Sequence, residues 1–400
     1  MSHKLINHSA DLKRLQDEGY EIEIKGAFVL VGHVPYVNAV KQIKYGTLVS
    51  TLNLAGNRTA PPENHVIYFI GEHPCNWDGS LIQAIRHTSN AQILDPNLGI
   101  TVSHSFSNKP PNGPPNGYHN YYDKFASYVG VISSQAEALD PSVTAKTFKV
   151  IQSVDAESVF NYLDTNSSRA EINVISSKLE SLKIAIVGLG GTGSYVLDFV
   201  AKTPVETIHL FDGDVFLQHN AFRSPGAASL QQLESHAKKV EYLTSIYSNM
   251  RKNIVPHAYH LGAENAAELL DFNFVFICSD DGETKKPIIE RLVAAGIPFC
   301  DVGMGLEVVE SALTGVVRTT MGTTAKHDHI NGKVSFSTKA ENVYSQNIQI
   351  CELNALNAAL AVVKWKKFVG FYHDLEKEHD SAYAITTNKI INDDFITQIR

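Results

Sequence analysis

Between Lys183 and Val200 the chain reads "KIAIVGLGGTGSYVLDFV": an apolar strand, four glycines within six positions, and a helical run. Gly188, Gly190 and Gly193 fit G-x-G-x-x-G, with Gly191 beside them. That order admits few folds. Glycines at a strand-to-helix turn let backbone approach a phosphate closely, and the free N–H groups and dipole of the helix N-terminus attract its charge. The same glycines also permit tight packing of helix on sheet. No Lys-Ser/Thr pair follows, so the loop is not of the Walker kind.

The surrounding pattern extends the constraint. "TIHLFDGD", "IVPHAYHL", "FNFVFICSDD" and "IPFCDVGMG" read as strands. Helical stretches alternate with them, including a single helix over "LQQLESHAKKVEYLTSIY", "AENAAELL", a helix from about Glu283 to Ala295, and a last packing helix in "NIQICELNALNAALAVVKWKKFVGFY". Alternation of this sort predicts an α/β fold with a doubly wound, Rossmann-like, mostly parallel sheet. Residues 1–150 read differently. A helix near Ser9 to Glu18 precedes strand-like runs ("EIEIKGAFVLV", "TLVSTLNL", "HVIYFIG"), a Pro- and Gly-rich loop from Ser107 to Tyr122, and a helix over Tyr121 to Ala138. The expected organisation is a smaller α+β domain at 1–150 followed by a nucleotide-binding domain at 151–400.

Composition narrows the partners. Lys and Arg number 34 against 42 Asp and Glu, a formal charge of −8, and no run of five basic residues occurs. Nucleic acid and anionic membranes are therefore not expected partners. The first residues lack the apolar stretch of a signal peptide and no segment has about 18 consecutive apolar residues, so the expected compartment is the cytoplasm. Four scattered cysteines without a C-x-x-C pair argue against a disulfide framework or a cysteine-rich zinc site.

Asp212, in "LFDGDVF" with Asp214, ends the second strand, where an acid accepts hydrogen bonds from ribose hydroxyls. This much suits an NAD-dependent oxidoreductase equally well. Asn220, Arg223 and Lys239 shift the balance. Hydride transfer has no use for an amide and two cations gathered round phosphates, whereas cleavage between the α and β phosphates of ATP builds charge that they can neutralise. Asp280, in "FICSDDGE" at a strand's C-terminal end, is the candidate carboxylate for Mg²⁺. Each residue alone could be a surface cation, a turn residue or a helix cap. Their joint order favours the nucleotide site.

Taken in order, "GLGGTGSYV", "DGDVFLQHNAFR", "AKKVE" and "CSDD" resemble the ThiF/MoeB/HesA family, whose adenylation fold is shared with ubiquitin-activating enzymes. The resemblance spans roughly Asn161 to Tyr372. It implies ATP- and Mg²⁺-dependent adenylation of the C-terminal glycine carboxylate of a ubiquitin-like or sulfur-carrier protein, with release of pyrophosphate. It implies that the glycine loop and Asp212 hold the nucleotide, that Asn220, Arg223 and Lys239 contact phosphates, and that Asp280 is the Mg²⁺-associated aspartate. By the same resemblance Arg169, in "NSSRAEI", matches an arginine that reaches the phosphates, often from a partner subunit, and a homodimer is expected. A third reading from another class is a catalytically inactive scaffold with the same fold.

Two departures from the family stand out. The zinc-binding C-x-x-C pairs are missing, and the loop of about Thr319 to Gln346, where many members carry a catalytic cysteine, contains none; Cys351 is the nearest thiol. His327 and His329 in that loop are expected to be solvated. The first domain is weakly similar to a ubiquitin-conjugating domain, which makes Cys75 in "GEHPCNWDG" either an acceptor thiol or a loop cysteine without chemistry.

Overall fold

The computed structural model describes residues 2–115, 117–151, 158–170, 172–336 and 348–395. By internal contacts the chain falls into two compact units, Met1–Ile151 and Gln152–Arg400.

In the first unit a six-stranded antiparallel sheet is built from β1 (Glu21–Lys25), β2 (Phe28–Val37), β3 (Ile43–Thr51), β4 (Val66–Ile70), β5 (Arg86–Thr88) and β6 (His104–Ser107), in the order β1-β2-β3-β4-β6-β5. Helix α1 (Ala10–Asp17) buries Leu12 and Leu15. Helix α2 (Tyr121–Glu137) starts at Asn120, whose side chain accepts the Asp123 N–H at 2.8 Å. Tyr121, Phe125, Tyr128 and Ile132 recur along α2 at spacings of three and four, which makes one apolar face. That face packs with Val29, Val31, Leu48, Phe69 and Phe106 of the sheet.

The second unit holds an eight-stranded sheet. Strands β7 (Lys183–Val187), β8 (Thr207–Phe211), β9 (Ile254–His257), β10 (Phe274–Ile277) and β11 (Phe299–Val309) are mutually parallel in the order β9-β8-β7-β10-β11. β12 (Ala312–Gly322), β13 (Glu378–Ala384) and β14 (Lys389–Phe395) continue it antiparallel. One face carries Ile184, Ile186, Ile208, Leu210, Phe274 and Phe276 against α3 (Gly191–Ala201), α4 (Lys239–Tyr247) and α6 (Cys351–Phe368). Ala185, Val187, Phe211, Val275 and Ile277 point the other way, onto α5 (Gly282–Ala295). Strands that bury both faces read as unbroken apolar runs, hence the legibility of "KIAIV" and "FVFI". No helix among the described residues is long and apolar enough to cross a membrane.

Three elements differ from expectation. The single helix expected over "LQQLESHAKKVEYLTSIY" is two, Leu230–Glu234 and α4, parted at His236 with φ +50°. Residues 266–271 form a 3₁₀ turn instead of an α-helix. β11 and β12 make a long hairpin whose two turn residues, Glu310 and Ser311, both have positive φ, the geometry that matches the twist of antiparallel strands.

Candidate active site

β8, β7 and β10 lie side by side and run parallel, so the segments after Phe211, Val187 and Ile277 open on one sheet edge. The glycine loop, Asp212 and Asp280 leave from those ends, where doubly wound sheets bind ligands. Gly188 has φ +86°, and a Cβ there would stand 2.9 Å from the Ser279 nitrogen, which packs this loop against the residue preceding Asp280. Gly190 caps α3, and Gly191 and Gly193 belong to its first turn.

Asp212 is 6% exposed and serves the loop directly. Its Oδ2 accepts the Leu189 N–H at 2.7 Å and its Oδ1 the Asp214 N–H at 2.8 Å. Lys239, also buried, places Nζ 2.7 Å from Asp214 and 3.5 Å from Asp212. The Lys239 ammonium holds the Asp214 carboxyl below the usual carboxylate range. His260 lies 3.5 Å from the other Asp214 oxygen. So Lys239, expected at the phosphates, is held here by two carboxylates.

Asn220 and Arg223 stand on a loop with a closed neck. Val215 bridges Lys238, Phe216 N–H donates to Ala237 O at 2.9 Å, and Lys239 N–H donates to Asp214 O at 2.9 Å. The break at His236 turns the chain back to make that closure. Asn220 is buried; its Oδ1 accepts the Leu217 N–H at 2.8 Å while its Nδ2 has no partner among the described residues. Arg223 Nε and Ser224 Oγ are likewise buried without a partner among them. Buried donors of this kind call for an acceptor, and phosphate oxygens supply one. The residues present thus fit a nucleotide triphosphate. Ser224 carried no motif signal in the sequence.

Asp280 is exposed, and Asp281 beside it caps α5 by accepting the Glu283 N–H at 3.2 Å. Arg169 closes the short helix Thr165–Arg169, and its side chain lies outside the described residues.

Beneath the same edge lies a charged group that sequence reasoning missed. The fully buried Asp301 carboxylate of β11 lies 3.1 Å from Lys285 of α5 and 2.6 Å from Arg318 of β12. Arg318 continues to Thr320, and Thr320 Oγ1 donates to Asp380 at 2.6 Å. A second line of polar groups runs along β8 and β9. Tyr259 donates to Glu268 at 2.6 Å, so His257 Nδ1 must donate to Tyr259 (3.1 Å) and His209 Nδ1 to His257 Nε2 (3.0 Å) when both rings are neutral. Burial pushes both imidazoles below the ordinary histidine value. The His257 carbonyl accepts the Asp212 N–H at 3.2 Å, which ties this chain to the site.

One expectation is corrected, and of the two readings of Cys75 the one without chemistry is favoured. His329 is 7% exposed, packed edge-on to His379 instead of solvated; His327 is exposed as expected. Cys75 is fully buried, its thiol directed at His73 O (3.4 Å) and pushed up by burial, which leaves no accessible acceptor there. Burial also raises Cys278 well above its ordinary value and Cys300 to about 12. Cys351, first residue of α6, is half-buried with Tyr195 Oη 2.9 Å from its sulfur.

A parallel sheet with this loop, acid and set of buried donors at one edge defines a nucleotide-binding α/β domain of the doubly wound class. More narrowly, residues 173–363 match the ThiF family. Residues 10–165 match a domain of unknown function, DUF6791. The adenylyltransferase and sulfurtransferase uba4 of Aspergillus terreus is 30% identical over 125 residues, 30% of this chain and 25% of the relative. The UBA4 protein of Saccharomyces cerevisiae, of the same description, is 27% identical over 134 residues, 32% and 30% of the two chains. The match thus spans a quarter to a third of these relatives' length. A crystal structure of Escherichia coli MccB with MccA-N7isoASN is similar at 15% identity and a TM-score of 0.49, over 59% of this chain and 74% of that one.

Proposed function

We propose that this chain activates the C-terminal carboxylate of a small ubiquitin-like or sulfur-carrier protein by adenylation. The carboxylate attacks the α-phosphate of ATP, an acyl adenylate forms, and pyrophosphate leaves. The observation that carries this reading is the set of buried donors without partners among the described residues, Asn220 Nδ2 and Arg223 Nε, on the loop that follows the Asp212-locked glycine turn. The match of residues 173–363 to the ThiF family and the similarity to adenylyltransferases support it.

In physical terms the N-terminus of α3 takes phosphate charge and Asp212 takes the ribose. Arg223, with Lys239 held in reserve by Asp214, neutralises the departing pyrophosphate. A carboxylate is already ionised near neutral pH, so no general base is required. Among the described residues no three metal-ligating side chains converge. Asp280 would therefore hold Mg²⁺ together with phosphate and water oxygens, the usual manner for that ion. A homodimer in which Arg169 serves the neighbouring site belongs to the same proposal. Should the acyl group move on to a thiol, Cys351 is the acceptor we assign, since Cys75 and Cys300 are fully buried and Cys278, part-exposed, is held well above its ordinary value by desolvation.

The test is exchange of labelled pyrophosphate into ATP in the presence of the carrier protein. Arg223→Ala and Asp280→Ala should each abolish exchange while leaving the melting temperature near that of the wild type. Persistent exchange in both variants would sink the proposal.

A further inference from the structure

The last helix also reaches the glycine loop. Asn354, in the first turn of α6, is fully buried, and its Oδ1 accepts a hydrogen bond from Thr192 Oγ1 at 2.8 Å. That bond orients the amide. It leaves Nδ2 without a partner among the described residues, laid against Gly191, the first residue of α3. The contact is close enough that a Cβ on Gly191 would fall 2.0 Å from Nδ2. Gly191 is therefore glycine because an amide from far along the chain occupies the place of its side chain.

A primary amide is a poor choice for filling that space. An apolar side chain of similar volume would leave no unmade donor, and a buried donor without an acceptor is a standing cost to the fold. The amide lies beside the first turn of α3, whose own N–H groups lack helical acceptors and converge where an anion would sit. The unpartnered donor thus lies at the helix end that would receive an anion.

We infer that Asn354 is a phosphate-binding residue of the nucleotide site. Nδ2 donates to a phosphate oxygen beside the α3 amides, and the Oδ1 bond to Thr192 holds the loop in its receptive shape. The inference rests on the adenylation reading, and it couples the final helix of the unit to nucleotide binding.

Calorimetric titration of the full-length chain with ATP and, separately, with adenosine tests it. Asn354→Asp keeps the shape and the acceptor for Thr192 but replaces the donor with an anion. ATP binding should weaken by about tenfold or more while adenosine binding stays unchanged. Asn354→Ala, which removes the donor without adding charge, should lose less affinity than Asn354→Asp and again only for ATP. Melting temperatures show whether each variant is folded, and if Asn354→Asp is not, Asn354→Ala decides alone. Wild-type affinity for ATP in a folded variant, or an equal loss for ATP and adenosine, would overturn the inference and leave the adenylation reading standing. A wild-type chain that binds no ATP would overturn both.

Discussion

The Asp212 carboxylate accepts the Leu189 N–H at 2.7 Å, joining the end of one strand to the glycine loop that leaves its neighbour. Its other oxygen holds the Asp214 N–H. One side chain thereby sets the shape of two loops at the site. Asp212→Ala should lower unfolding free energy by about 3 to 6 kcal/mol, the worth of two hydrogen bonds to a charged acceptor, and should abolish ATP binding. Chemical denaturation and calorimetry check the two effects separately. Asp212→Asn retains one acceptor oxygen, and its stability should fall between those of the alanine variant and the wild type.

Asp301 is one buried carboxylate serving two cations, Lys285 and Arg318. Removing it strands both. Asp301→Ala should destabilise the second unit by about 3 to 5 kcal/mol, the usual result of breaking a buried pair from one side. Lys285→Met added to Asp301→Ala should recover part of the loss, because one stranded charge is then gone. Equal stability of the single and double variants would contradict the ion-pair account.

The His209–His257 pair predicts a pH dependence with a definite sign. Burial holds both imidazoles below their ordinary value of 6.5, so the unfolded chain takes up protons first as pH falls. Their contribution to stability is complete above about pH 6.5 and is lost as pH drops towards the folded values, about 1.4 kcal/mol for each pKa unit of depression. Melting temperatures at pH 7 and pH 5 should therefore differ more for the wild type than for His209→Gln. An identical difference in both proteins would exclude the pair as a source.

Alkylation kinetics should separate the four thiols. Cys351 and Cys278 are both part-exposed, whereas Cys75 and Cys300 are fully buried, and desolvation holds the Cys278 thiol well above its ordinary value. Iodoacetamide on the native protein should label Cys351 first, since a reagent must reach the sulfur and a thiol held protonated reacts slowly. Peptide mass spectrometry that found Cys75 modified fastest would contradict the buried placement.

What the sequence made legible follows from how far each signal reaches. β7 and β10 were readable because strands covered on both faces must be apolar throughout, and the glycine loop because positive φ at Gly188 excludes other residues. The neck at Val215 and Lys238 was not, since a chain reversal at a histidine with φ +50° carries no compositional mark. Asp301, Lys285 and Arg318 lie 16 and 17 residues apart along the chain, and only the β11–β12 hairpin and α5 bring them together. Asn354 reads as one polar residue in a packing helix until its contact with Thr192, 162 positions away, is known. Cys75 stayed open between two readings for a related reason: a His-Pro turn is visible in sequence, but the depth at which it is buried is not.

The neck has a mechanical consequence. Residues 216–237 leave and rejoin the unit at nearly the same point, so most of the entropy of closing that excursion is met by the bridge between Val215 and Lys238. The excursion is in effect a cassette, able to change length at its outer turns around Gly226 with little effect on the sheet. Its inner residues, Asn220 and Arg223, would travel with it. A transplanted cassette should thus carry phosphate recognition from one such domain to another as a single inherited part.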